Sequence, residues 1–204
     1  MTSMSNEGQP HDAAQAEPVS TPSSTPVIAP ARTDADTKAD TDFASLPMSA
    51  RPVAALLAAH GHAHAIVILP QTGRTSAEAA AALGCGVQHI AKSIVFKRLE
   101  DERPVLVIAS GTNRVDEAKV AAQVGAIGRA DAKFVRESSG YAIGGVCPIG
   151  HRVEPVTLID EDLMSLDFIW AAAGHPHAVF KLTGEQLVGM TRAPVVNVAV
   201  QVDS

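Results

Sequence analysis

A lysine and a glycine-rich loop are the residues of this chain whose types and spacing could act on an ester. Lys92 sits near the start of the strand-like run Ala91-Lys-Ser-Ile-Val-Phe-Lys97, and Gly140-Tyr-Ala-Ile-Gly-Gly-Val-Cys-Pro-Ile-Gly-His151 carries paired glycines ahead of a proline. Glycine has no Cβ, so the amides of Gly145, Val146 and Cys147 can face a ligand unobstructed, while Pro148, lacking an N–H, sets the turn. Amides aimed at a carbonyl oxygen stabilise the negative charge it gains under attack, and losing one such donor costs about 2.7–4 kcal/mol of barrier. Taken singly, each pattern also has an ordinary reading: a solvated charge at a strand end, and a tight turn beside a bulge.

Other reactive side chains are less well supported by their company. Cys147 with His151 four residues on invites a thiol nucleophile activated by imidazole. His60-Gly-His62-Ala-His64 and His175-Pro-His177 offer nitrogen ligands, but neither has a carboxylate or thiolate at a recognised spacing, so no metal is expected. Gly73-Arg-Thr and Gly84-Cys-Gly86 lack the remaining positions of a P-loop or dinucleotide fingerprint, so no cofactor is expected either. Asp167 opens a strand, where acids are usually turn residues, and takes no role.

These groups need elements to hold them. Ser49 can cap a helix running to His60 and stopped by Gly61, and Ala65 to Leu69 reads as a strand. Thr75-x-x-Glu78 is a capping-box pattern opening an alanine-rich helix that ends at Gly84, with a short helical turn at Val87 to Ala91 before the lysine strand. Pro104 to Ala109 is an apolar strand able to pair with it across the polar turn Arg98 to Arg103. Helices are expected at Val115 to Val124 and Asp131 to Ser138. The glycine-rich segment should run as a strand into a loop, and Val156 to Ile159, Phe168 to Ala173, Ala178 to Leu182 and Val195 to Val200 complete the strands. Several connections are too short for parallel crossovers, which predicts an α+β fold on a mixed, largely antiparallel sheet.

Composition divides the chain in two. Residues 1–47 hold six of the 13 prolines, many Ser, Thr and Asp, and Phe43 as their aromatic residue. Such a segment cannot offset its ordering entropy, so a disordered, dispensable acidic tail is expected there, followed by one domain over 48–204. Seven acids against Arg32 and Lys38 give the tail −5 of the net −6 and leave the domain near neutral, which argues against long-duplex binding through many phosphate contacts. Recognition of a nucleic-acid end remains open: Arg74, Lys92, Lys97, Arg98, Arg103, Arg114 and Lys119 fall in one half of the domain, as a local patch or as scattered solubilising charge. Cys85 and Cys147 give no disulfide framework. With no signal-peptide pattern and no apolar run of the 18 or so residues that span a bilayer, a cytoplasmic protein without membrane contact is expected.

Ala91 to Lys97, in the pattern A-K-[ST]-hydrophobic-hydrophobic-F-K, and Gly144 to Pro148, in the form G-x-x-x-P, together resemble the YbaK/EbsC family over roughly Met48 to Val200. These are bacterial aminoacyl-tRNA deacylases related to the editing domain inserted in prolyl-tRNA synthetase. The resemblance implies a curved or barrel-like sheet surrounded by helices. It makes Lys92 the lysine that holds the phosphate or ribose of the 3′-terminal nucleotide, through charge-assisted bonds worth about 1.5–3 kcal/mol each, and Gly144, Gly145, Val146 and Cys147 the carbonyl-binding loop. Gly174 matches a family glycine, so the turn from Gly174 to His177, with Gly174 and His175 as its named residues, is expected to line the acyl pocket, with Ile66, Ile68 and Pro148. Many relatives carry serine or another small residue at Cys147, which makes this cysteine wall, with water, assisted by the ribose hydroxyl of the tRNA, as nucleophile.

The implied function is a free-standing trans-editing hydrolase serving translation fidelity. It would remove alanine, cysteine or another small residue from tRNA for proline, a second sieve needed because one methylene separates amino acids by only about 1–3 kcal/mol. Its partners would be the 3′ end of an aminoacyl-tRNA, with prolyl-tRNA synthetase a candidate, acting as a monomer or weak homo-oligomer. Two alternatives stand beside it: a non-catalytic module binding an aminoacyl or nucleotide ligand, and a thiol hydrolase of small esters.

Overall fold

The computed structural model describes residues 43–62, 65–70 and 75–201. Residues 1–42, where most of the expected tail falls, and His64, Gly73 and Arg74 lie outside the described residues. In chain order the elements are α1 (Arg51–Ala59), β1 (Val67–Ile68), α2 (Ser76–Leu83), β2 (Ile90–Arg98), β3 (Pro104–Ser110), α3 (Glu117–Val124), β4 (Ile127–Arg129), α4 (Ala132–Ser139), β5 (Val156–Asp160), β6 (Ile169–His175), β7 (Ala178–Leu182), α5 (Gly184–Thr191) and β8 (Val195–Val196). Short 3-10 turns precede β2 at Val87–His89 and follow β5 at Glu161–Ser165.

Most helices start where a side chain supplies the missing acceptor. Thr75 and Glu78 form the expected capping box of α2, Asp116 and Asp131 cap α3 and α4, and Gly84 and Gly140 end α2 and α4 in the left-handed region. Ser49 does not cap α1: the helix begins one residue later, from Ala50, with no side-chain cap. A cap at Ser49 would look to the N–H groups two and three residues on, and the third is Pro52, which has none. The backbone before α1 is tied instead by Arg51, which donates to Leu46 O at 3.1 Å and Ala44 O at 3.0 Å, and Leu46 is buried at 3% exposure. The fold thus reaches back inside the boundary drawn at 47.

Two elements were not anticipated. One is β4; the other is α5, opened by a second capping box, Thr183 with Gln186. Conversely, the segment from Gly140 to Gly150 is not a strand. Gly140, Gly144 and Gly150 have φ of 84°, 86° and 77°, which breaks any extended run, and the segment packs through Tyr141, Val146, Cys147 and Ile149 into the largest apolar cluster. Tyr141 clamps it by donating from its hydroxyl to Ile149 O at 2.8 Å.

Among the described residues the strands form one mixed sheet in the order β1-β7-β6-β2-β3-β5-β8, with β4 also on β2. Four of its seven pairings are antiparallel. Strand β3 is buried along its whole length: Leu106 and Ile108 face one cluster with α1 and the glycine segment, while Val105, Val107 and Ala109 face another with α3. A third cluster holds α2 against Ile90, Trp170 and Val179. Each such aliphatic side chain contributes about 1.5–3 kcal/mol on burial. No helix among the described residues is long and apolar enough to cross a membrane.

The feature that creates a site is a gap beside β2. One edge of β2 pairs with β3 from Ala91 to Lys97; on the other, β6 takes Ile90 and Ala91 and β4 takes Phe96 to Arg98. Lys92 to Val95 are left without a strand on that edge.

Candidate active site

The gap opens into two cavities that share Ser93, Gly144 and Val146. The smaller, about 120 Å³, is walled by Leu69, Ile90, Trp170, Pro176 and Val179, with Thr75 and Ser76 from the start of α2 and Lys92 from β2. The larger, about 630 Å³, runs along Ile94 to Phe96 past Arg114, Glu117 and Arg129, with the exposed Ile143 beside it. One cavity is narrow and mostly apolar, and the other is wide and edged by two arginines and one glutamate. The Ser93 hydroxyl, at their junction, is buried and has no partner among the described residues.

Lys92 stands opposite Ala109 in the β2–β3 register, on the face carrying Ile94 and Phe96. It is the first residue of the unpaired edge of β2, yet it is not a solvated charge: it is half-buried, and its ammonium donates to the carbonyls of Gly111, at 3.3 Å, and Asn113. Burial pushes its amine below the usual lysine value, and the carboxylate of Asp160 opposes that shift. An ammonium has three donors, so one N–H is left for a ligand in the small cavity that Lys92 lines.

The G-x-x-x-P loop distributes its residues to different surroundings. Gly145 donates its N–H to Ala142 O at 2.9 Å with Gly144 at φ 86°, the form of a type II turn. That amide is therefore spent. The amides of Val146 and Cys147 have no acceptor among the described residues, which leaves two of the three expected donors. A Cβ on Gly145 would lie 2.7–2.9 Å from the backbone of His175 and Pro176, so this glycine is where two loops touch. The Cys147 side chain is fully buried, and burial pushes its thiol up to about 12. His151 does not activate it, because its Nε2 donates to the carbonyl of Cys147 at 2.7 Å and burial depresses its imidazole. A thiolate nucleophile has no support in this geometry.

Several residues expected around an acyl pocket lie elsewhere. Ile66 is in the core, Ile68 points out at 43% exposure, and Pro148 borders a separate cavity of about 160 Å³ with His60 and His151. Gly174, at φ 81°, faces Ser49, Val53 and Tyr141, and His175 bonds back to the His177 amide, with Pro176 as the residue of that turn that reaches the small cavity. The reason is alternation: in the β6–β7 hairpin successive residues point to opposite sides, so a turn matched by its glycine does not tell which of its residues faces inward. Among the described residues no group of three or more His, Cys, Asp or Glu side chains converges as a metal site.

Other residues enter that sequence reasoning passed over. Leu69, Ile90, Trp170 and Val179 make the apolar wall, and the Ser110-Gly-Thr-Asn113 turn after β3 holds Lys92. Asp160, fully buried at the end of β5, accepts from Ser110 N at 3.0 Å and Asn113 Nδ2 at 2.7 Å. A turn-forming cluster directly after an apolar strand was the available signal for the first; nothing local marked Asp160.

A solved structure of a protein provisionally described as a trans-editing enzyme for prolyl tRNA synthetase is 40% identical, covers 77% of this chain and 100% of its own, and superposes with a TM-score of 0.72. The structure of hypothetical protein APE2540 is 28% identical over 72% of this chain and 99% of its own, with a TM-score of 0.68. The uncharacterized protein YwhH of Bacillus subtilis (strain 168) is 32% identical over 114 residues, 55% of this chain and 72% of that protein. A model of the aminoacyl-tRNA editing domain matches residues 70–190, a span that takes in Lys92, the glycine loop and, apart from Leu69, the residues lining both cavities. With the fold shared and more than half of its length matched, the chain belongs to the aminoacyl-tRNA editing domain family, and membership implies a deacylase-type role.

Proposed function

We propose that the protein is a free-standing trans-editing hydrolase that removes a small wrong residue, alanine or cysteine in particular, from tRNA for proline. The observation that carries this reading is the pair of cavities meeting at Ser93, Gly144 and Val146. A cavity of about 150 Å³ admits a benzene ring, so the 120 Å³ chamber has room for the side chain of alanine or cysteine. The wider chamber has room for a nucleoside, and Arg114 and Arg129 on its edge suit a phosphate.

With the ester at the junction, the Val146 and Cys147 amides take the carbonyl oxygen, and Lys92, which lines the small chamber beside that junction, uses its remaining N–H to hold the terminal ribose where it meets that chamber. Water then adds to the carbonyl carbon, negative charge collects on the oxygen facing those amides, and the bond from that carbon to the ribose oxygen breaks. The ribose oxygen regains a proton and the amino acid leaves as its carboxylate. No side chain forms a covalent bond, consistent with the buried, protonated thiol of Cys147.

The test is release of amino acid from a panel of all charged tRNAs by the full-length protein. The reading expects turnover of tRNA for proline carrying alanine or cysteine, and little of the same tRNA carrying proline. Tight binding of charged tRNA without release would replace the hydrolase with the binding module.

A further inference from the structure

Lys92 is held by a loop that is itself held by a buried acid. Asp160 is fully buried, and its carboxylate accepts from Ser110 N at 3.0 Å, Asn113 Nδ2 at 2.7 Å and Asp162 N at 3.3 Å. Asn113 is the joint: its side chain bonds to Asp160 and to Asp162, the latter at 2.6 Å, while its main-chain carbonyl accepts from the Lys92 ammonium. Gly111, the other acceptor of Lys92, is wedged so close to the 3-10 turn before β2 that a Cβ would stand 2.2 Å from Val87 O. The loop therefore has one path, pinned at Gly111 by contact and at Ser110 and Asn113 by Asp160.

A buried carboxylate bonded only to neutral donors carries an uncompensated charge, which is costly unless a cation lies nearby. Lys92 is that cation. The groups facing it from the other packed elements are neutral: Thr75 and Ser76 of α2 and Trp170 of β6. Asp162 lies beyond Asn113, and Glu161 is engaged by Asn197 Nδ2 at 2.6 Å.

Resting on the deacylase reading, we propose that Asp160 is a positioning residue that keeps the Lys92 ammonium charged and aimed at the small cavity, acting through Asn113 and the Ser110 amide. It touches no substrate; its effect passes through Lys92.

The experiment pairs Asp160→Asn with Lys92→Ala in the full-length protein. Alone, Asp160→Asn is expected to lower kcat/KM about tenfold or more, mainly through KM, because a misaimed ammonium weakens a charge-assisted bond. In the Lys92→Ala background the same change is expected to alter kcat/KM by no more than about twofold, the non-additivity of groups acting as a unit. In parallel, the Lys92 side-chain resonance, assigned by its disappearance in Lys92→Ala, is titrated by NMR without substrate, where Asp160→Asn is expected to lower the midpoint by about one pH unit. Equal losses in both backgrounds, or an unmoved Lys92 titration, would overturn the proposal. Should Asp160→Asn fail to fold, Asn113→Ala reads the same cycle at smaller amplitude, and additivity there overturns it equally. Should the wild-type protein release no amino acid, the deacylase reading fails while the NMR titration still decides the coupling.

Discussion

On one side of the gap beside β2 stands a charged side chain, Lys92, tied to the carbonyls of Gly111 and Asn113; on the other, Gly144 to Cys147 offer backbone, seated by a turn and by packing. On the deacylase reading, the lysine wall works through the identity of a side chain that contributes little to the core. On the same reading the glycine wall works through shape: Gly145 is in contact with the 175–176 backbone and the Cys147 side chain is inside the core, so the packing that would present its amides is also the packing that stabilises it. The two walls should therefore respond differently to substitution.

The largest effect is expected at the contact between loops. Gly145→Val places atoms where backbone already stands at 2.7–2.9 Å. Overpacking of this kind costs about 1–3 kcal/mol, so calorimetry should show a lower Tm along with deacylation reduced to background. A Gly145→Val protein with wild-type Tm and turnover would break the comparison at once.

Lys92→Ala should separate the two quantities. Loss of charge-assisted bonds worth about 1.5–3 kcal/mol each predicts a fall in kcat/KM of about a hundredfold, while the two carbonyls and the buried Asp160 carboxylate left without its neighbouring cation lower Tm by several degrees without unfolding the protein. The sign of the pH dependence follows from the same burial: because the Lys92 amine is held below the usual lysine value, activity that needs the ammonium should fall as pH rises through that lowered value. Lys92→Arg, whose guanidinium keeps its proton, should lack this alkaline decline at whatever activity it retains, which a kcat/KM–pH profile of both proteins would check.

Cys147→Ser reverses the pattern. It puts a hydroxyl into apolar surroundings at a cost of about 1–3 kcal/mol, so a lower Tm is expected with turnover near wild type at 25 °C, since the amides are unchanged. A dead but folded Cys147→Ser protein, or an acyl adduct on Cys147 in the native enzyme, would move the chemistry from backbone to sulfur.

The smallest effect is expected where neither wall is touched. From the composition of the first 47 residues, removing residues 1–42 is expected to leave turnover and Tm unchanged. Removal of residues 1–47 should instead lower Tm by a few degrees, because it strips the buried Leu46 and both carbonyl partners of Arg51.

Much of this architecture was readable from residues close together in the chain. The caps at Thr75, Asp116 and Asp131 involve partners two or three residues away, and α5 was open to the same reasoning through Thr183 and Gln186. The pairing of β2 with β3 was visible as two apolar runs across a polar turn. The reading of Gly140 to His151 as a strand running into a loop failed because three glycines at positive φ make turns, and a glycine in a sequence does not announce which sign of φ it will take.

For the site, sequence alone determined that a lysine and a glycine-rich loop closed by a proline were present, because those properties belong to residue types: a proton on an amine, a missing Cβ, a missing N–H. Tertiary structure decided which of them meet. Asp160 reaches Ser110 across 50 residues and Asn113 across 47, and the cavity wall takes Leu69, Trp170 and Pro176 rather than Ile66, Ile68 and Gly174. Such choices depend on strand register and on the side of a strand each residue faces. A shift of one residue would reverse them without changing the composition of any segment.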